Sequence, residues 1–177
     1  MVTNYNFKTE PYAHQKEALT LSWDKQSFAL FMEMGTGKTK VLLDNLGALR
    51  CQNLINGALI IAPKSVYTVW YHTEIPKHLN IEYDMLLWKS TLREAKLREF
   101  FEKPSIKLKL FVMNVEAFSS DKGSFWAEEF CKRHINMVVV DESTCVKNYS
   151  AKRTKNILKL RKYSNYRRIL SGFPTPK

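Results

Sequence analysis

The sequence predicts one α/β domain with a mostly parallel, doubly wound sheet flanked by helices. Three observations lead there. Six short apolar runs recur along the 177 residues. Several are nearly continuous in apolar residues, which suits strands covered on both faces. The stretches between them carry helical spacing or helix start signals, and alternating strand and helix is the pattern of a parallel α/β sheet. The length allows one domain with a real core. No run of eighteen apolar residues predicts a membrane-spanning helix, and the opening MVTNYNFKTE has no apolar stretch of signal-peptide type.

The elements follow in order. PYAHQKEALTLSW, opening with Pro11, reads as an amphipathic helix. FALFME from Phe28 is the first strand. KTKVLLDNLGALR places Val41, Leu42, Leu46 and Leu49 at helical spacing. ALIIA from Ala58 is the second strand. SVYTVWYHTEI predicts a helix capped by Ser65 and ending near Ile75, because Pro76 follows. YDMLLW from Tyr83 is the third strand, and TLREAKLREFF offers Thr91 and Glu94 as a capping box. LKLFVM from Leu108, MVVVD from Met137 and RRILS from Arg167 complete the strands. Before the last of them, SAKRTKNILKLRK predicts a basic helix burying Ile157, Leu158 and Leu160. There is no repeat and no internal linker.

Two loops carry chemistry. MEMGTGKT follows the first strand and opens a helix at Lys38. Backbone N–H groups at such a helix start can surround phosphate oxygens. Gly35 and Gly37 permit a tight turn, Lys38 reaches the β- and γ-phosphates, and Thr39 offers a hydroxyl to Mg²⁺. The usual phosphate-loop pattern has glycine six places before the lysine, where this chain has Met32. A strand-to-helix turn with an incidental lysine is the competing reading. At the end of the fifth strand, MVVVDEST supplies Asp141 to hold Mg²⁺ partly through water and Glu142 to orient and deprotonate a water. Loops at the carboxyl ends of parallel strands converge on one crevice, so the two motifs support each other.

Charge and cysteines add bounds. The net charge is +11. Residues 1 to 146 hold 18 Lys or Arg against 17 Asp or Glu, while residues 147 to 177 hold 10 Lys or Arg and no acid. The excess is therefore one basic tail that includes Lys152, Arg153, Lys155, Lys159, Arg161, Lys162, Arg167 and Arg168. It suits nucleic-acid phosphates, or it is a solvated face. Cys51, Cys131 and Cys145 are scattered, which fits neither a disulfide framework nor a metal cluster. A reducing intracellular setting is the natural reading.

The order PYAHQKEAL, MEMGTGKT, LIIAPKSVYTVW, VVVDESTCVKN, RRILSGFPTPK resembles the first RecA-like domain of superfamily 2 helicases. It is closest to the chromatin-remodelling (Swi/Snf-type) translocase branch, with its bacterial and phage members. The resemblance covers nearly the whole chain and implies ATP and Mg²⁺ as cofactors. It implies that Gln15 reads the adenine edge, with Phe7, Tyr12 or His14 packing on the base. Met34, Gly35, Thr36, Gly37, Lys38 and Thr39 would hold the nucleotide. Lys38, Asp141 and Glu142 would be catalytic. Lys64 would touch the nucleic-acid backbone, with Asn114 and Glu116 near the track. Lys159, Arg161 and Lys162 are further nucleic-acid candidates from the basic tail. Thr144, Ser171, Gly172 and Pro174 would couple the two activities. Two departures fall in that relay: Ser143 and Thr144 replace the last two letters of D-E-A-H, and Phe173 stands where T-G-T-P has its second threonine.

In this family a second RecA-like domain supplies arginines to the transferring phosphoryl group. The resemblance therefore implies residues 1–177 as the first domain alone, nearly inactive as an ATPase by itself. It implies a partner in double-stranded DNA and a cytoplasmic setting, nuclear in a eukaryote. The alternatives are a non-enzymatic binding module with a relic nucleotide site, or a P-loop ATPase of another class.

Overall fold

β1 (Ser27–Phe31), β2 (Gly57–Ala62), β3 (Tyr83–Leu87), β4 (Leu108–Asn114), β5 (Asn136–Val140) and β6 (Tyr166–Ser171) form one sheet in the computed structural model. The structure describes residues 5–146 and 148–172. Every pairing is parallel and the order is β1-β6-β5-β2-β4-β3. All six apolar runs are strands. For β2, β4 and β5 the continuity has a direct cause: successive side chains point to opposite faces, and both faces are covered, whereas β1 and β6 leave Phe31 and Ile169 exposed.

One face carries α1 (Ala13–Ser22), α2 (Lys38–Cys51) and a helical segment made of α3 (Tyr67–Val69), a π-helical turn (Trp70–Glu74) and α4 (Ile75–His78). Leu42, Leu46 and Trp70 pack there on Leu30, Ile60 and Leu170. The other face carries α5 (Glu94–Glu102), α6 (Asp121–Arg133) and α7 (Lys152–Lys159). Phe101, Trp126, Phe130 and Ile157 pack there on Leu59, Ile61, Phe111 and Val138. Burying each large side chain stabilises by about 1.5–3 kcal/mol.

Four local expectations are corrected. The helix after β2 starts at Tyr67 rather than on a Ser65 cap, because Pro63 O accepts from the N–H groups of Val66 and Tyr67. It runs past Pro76 to His78, because the π turn ahead of it changes which carbonyl each N–H meets. α5 starts at Glu94 with no side-chain cap; a turn closed by Leu92 N–H on Lys89 O leaves Thr91 outside the helix. Leu158 is 47% exposed, since Ile157 and Leu160, three apart, already take the inward face of α7 and the turn after it. α6, with Ser120 accepting from Gly123 N–H at 3.1 Å as its cap, was not anticipated.

Arg168 is the largest departure. Counted with the basic tail, it is 1% exposed. Its Nε donates to Asn45 Oδ1 at 3.0 Å, its Nη2 to Ser22 O at 2.7 Å and its Nη1 to Arg167 O at 2.9 Å. Asn45 Nδ2 donates to Trp23 O at 2.9 Å. The last carbonyls of α1 lack helical partners and carry partial negative charge, so a guanidinium suits them. Burial lowers the Arg168 pKa to about 10, which still leaves it charged at neutral pH. It thereby ties β6 to α1 and α2. Arg168→Met is expected to cost about 1–3 kcal/mol, because it leaves Asn45 Oδ1 without its buried donor, while Ser22 O keeps Lys25 N–H. Urea unfolding checks this, and a loss below about 1 kcal/mol would show the bracket to be dispensable.

Candidate phosphate-loop site

The loop joins β1 to α2. Gly35 (φ 80°) and Gly37 (φ 85°) both take the left-handed conformation that glycine adopts without strain. A Cβ on Gly37 would collide with the Gln15 amide. Gln15 is buried and fully engaged. Its Nε2 donates to Thr36 O at 2.9 Å, and its Oε1 accepts from Tyr12 N–H at 3.0 Å. His14 Nε2 meets the same Thr36 carbonyl at 3.0 Å. The start of α1 therefore holds the loop in place.

Lys38 Nζ donates to Met32 O at 2.8 Å and to Glu33 O at 3.0 Å. Met32 does not take a positive φ, so its place needs no glycine. Position 32 serves the loop through its carbonyl, which any residue provides. Met34 is 72% exposed at the loop tip.

Asp141 follows β5, and its N–H bonds Ile61 O at 2.8 Å. Its Oδ1 accepts from Glu142 N–H at 2.9 Å and its Oδ2 from Trp70 Nε1 at 2.8 Å. Burial raises its pKa, while the Trp70 and Glu142 donors and the Lys38 charge oppose that shift. Glu142 has φ 49°, a strained value for a residue with a Cβ. Thr144 Oγ1 donates to Glu142 Oε1 at 2.9 Å, so its proton goes to the neighbouring acid and not to the end of β6.

Strand order brings these loops together. β6 lies between β1 and β5, so Ser171 and Gly172 emerge between the phosphate loop and the acidic pair. A Cβ built on Gly172 would sit 2.9 Å from Met34 Cγ and 3.8 Å from Lys38 Nζ. Pro174 lies outside the described residues. A cleft of about 310 Å³ opens between Gly35, Gly37, Lys38 and Thr39 of the loop and Glu74 and His78 of the helical segment. His78 Nδ1 meets Thr9 Oγ1 at 2.9 Å, and burial lowers its pKa, helped by Lys77 and Lys40. Neither Glu74, His78 nor Trp70 was singled out from sequence. The one available signal was a tryptophan in a buried helix, whose N–H needs a partner.

The donor chemistry fits Mg²⁺. Thr39 and Asp141 offer a hydroxyl and a carboxylate, both hard oxygens. Among the described residues no group of three or more His, Cys, Asp or Glu could cage a metal. Few protein ligands, with phosphates and water completing the shell, is how Mg²⁺ is usually held.

The remaining candidates divide. Lys64 is exposed just after β2, on the carboxyl edge of the sheet. Lys159, Arg161 and Lys162 are exposed at the far end of the α7 segment, where the chain returns to begin β6 at the amino edge. The structure does not bring them to Lys64. Asn114 Oδ1 caps the turn after β4 by accepting from Ala117 N–H at 2.8 Å. Phe7 packs on the core with Lys40 Nζ 5.5 Å from its ring centroid. Tyr12 is 72% exposed and stacks on His14 at 5.9 Å beside the loop.

A family model described as the SNF2-related domain matches residues 14–177. Protein CHROMATIN REMODELING 24 of Arabidopsis thaliana is 27% identical over 173 residues, covering 92% of this chain and 16% of that protein. ATP-dependent helicase FUN30 of Saccharomyces cerevisiae is 27% identical over 154 residues, covering 85% and 13%. The solved Sulfolobus solfataricus SWI2/SNF2 ATPase core in complex with dsDNA superposes with a TM-score of 0.72 at 20% identity. That match covers 98% of this chain and 34% of the other, and it supports the RecA-like fold. The chain thus spans under a fifth of these curated relatives. No helix among the described residues is long and apolar enough to cross a membrane.

Because burial raises the Asp141 pKa, the folded chain holds that proton more tightly than the unfolded chain does. The ionised carboxylate therefore costs stability at neutral pH, and the cost fades as pH falls through the folded value towards the unfolded value of about 4. Asp141→Asn removes the charge but sets an amide N–H₂ against either Trp70 Nε1–H or Glu142 N–H, so its absolute Tm reflects both effects. Only the wild type gains from protonation, so the Tm difference is expected to move in favour of the wild type as pH falls from neutral towards about 4. A difference that stays constant over that range would contradict this.

Proposed function

From a chain that belongs to the SNF2-related domain family, we propose the first RecA-like, ATP-binding domain of an ATP-driven translocase on double-stranded DNA. The observation that carries the reading is the convergence of the G-x-G-K-T loop with Asp141 and Glu142 on either side of the end of β6. A phosphate chain would lie at the start of α2, within reach of the N–H groups from Gly35 to Thr39. Lys38 would exchange the Met32 and Glu33 carbonyls for phosphate oxygens. Thr39 and Asp141 would hold Mg²⁺, which when bound neutralises phosphate charge. Glu142 would orient and deprotonate the attacking water.

Tyr12 is the adenine platform in this reading, because it is exposed beside the loop while Phe7 is engaged in the core. Gln15 acts first as a brace for Thr36, and reads the base edge by exchanging one of its two bonds. Ser171 and Gly172 report the state of the loop towards the rest of the motor, and Thr144 does so through Glu142. The 177-residue chain hydrolyses ATP slowly, since the second domain's arginines stabilise the transferring phosphoryl group in this family.

Mg²⁺ with ATP at about a hundredfold excess over its dissociation constant stabilises a binding protein by about 2.7 kcal/mol. The wild-type chain is therefore expected to melt about 5–10 °C higher with nucleotide. Lys38→Ala should lose the shift. A shift that survives Lys38→Ala would place the nucleotide elsewhere, and no shift in the wild type would support a relic site.

DNA affinity of the chain is expected to fall with salt, as phosphate contacts require. Lys64→Glu should weaken binding more than a single reversal at Lys159, Arg161 or Lys162, which stand at the opposite edge. Fluorescence anisotropy at two salt concentrations checks this. Unchanged affinity with all three far-edge residues reversed would mark that patch as a solvated face.

A further inference from the structure

The π turn at Trp70–Glu74 has a visible cause and a visible result. Pro76 has no N–H, and in an ordinary helix its ring presses on the carbonyl four residues earlier. Here Ile75 N–H instead bonds Trp70 O, five residues back, and the widened turn admits the proline. Such turns occur mostly singly, and often at functional sites. Trp70 begins this one. It is 2% exposed, and its indole N–H meets Asp141 Oδ2 at 2.8 Å. Glu74 and His78 of the same segment line the cleft opposite Lys38 and Thr39. Lys64 lies just before the segment begins.

We propose that Trp70 is a positioning residue for the metal-holding carboxylate, an inference that rests on the function proposed above. Asp141 is held from two sides: Oδ2 by the indole, Oδ1 by Glu142 N–H. Fixed donors on both oxygens set the plane of the carboxylate before any cation arrives. Ser or Thr could not replace the indole without a cavity, and a lysine would place a competing charge beside the cation. A tryptophan supplies one neutral donor on a rigid ring buried in the core, and the π turn aims it. Partners that orient metal-holding side chains typically change metal affinity 10–100-fold when removed.

The alternative is that Trp70 only fills the core, with its N–H satisfied incidentally. The test separates the two. Binding of the non-hydrolysable analogue adenylyl imidodiphosphate to the 177-residue chain is measured by calorimetry, first in EDTA and then across a Mg²⁺ titration. Trp70→Phe is expected to raise the Mg²⁺ concentration for half-maximal effect about tenfold. Affinity in EDTA should stay within about twofold, because the loop itself is intact. A second variant carries β-(3-benzothienyl)alanine at position 70, which keeps the ring's shape and replaces N–H by sulfur. It should show the same loss. Wild-type Mg²⁺ dependence in that isostere would overturn the proposal, even if Trp70→Phe is impaired or fails to fold. Absence of Mg²⁺-dependent binding in the wild-type chain would overturn the proposed function itself, and residue 70 has no part in that result.

Discussion

The insertion of β6 between β1 and β5 is the constraint on which the site depends. Parallel pairing fixes where each strand ends, so the phosphate loop, Gly172 and Asp141 must emerge side by side. Among the described residues β6 follows β1 by more than a hundred positions, so the site forms only when residues far apart in sequence have closed. Arg168 secures that closure through acceptors on α1 and α2. One buried cation thus helps hold the strand that separates the loop from the acids.

Around that strand the site spends stability on arrangement. Burial disfavours the charged form of Asp141 and raises its pKa. Glu142 takes a backbone conformation that costs of order 1–3 kcal/mol. Lys40 and Asp44 are buried together at 2.7 Å just behind Thr39, an arrangement that needs good geometry to break even. Polar groups placed this way resist rearrangement, because any movement leaves one of them unpartnered. The loop is braced likewise: Gln15 uses both ends of its amide to tie α1 to Thr36.

Much of this was legible in the sequence, for physical reasons. Strands buried on both faces must be apolar throughout, so ALIIA and MVVVD announce themselves. A loop that wraps phosphate needs glycine at left-handed positions, and Gly35 and Gly37 are both there. What stayed hidden depends on contacts between distant residues. Arg168 looks like any tail cation until Ser22 O and Asn45 are placed beside it. Trp70 looks like core until its N–H is seen on Asp141. The π turn has no local code beyond a proline that a shorter helix would also explain. Strand order, which joins the motifs, is carried by packing rather than by any one segment.

The proposed function requires this crevice to take Mg²⁺ and a nucleoside triphosphate at the start of α2. A crystal structure of the chain with Mg²⁺ and adenylyl imidodiphosphate is the sharpest test of it. Phosphates are expected against the N–H groups of Gly35 to Thr39, with Lys38 Nζ moved off the Met32 and Glu33 carbonyls onto phosphate oxygen. Asp141 is expected to face the metal while still bonded to Trp70. Nucleotide bound elsewhere, or Lys38 still folded back on those carbonyls beneath an ordered phosphate, would contradict it.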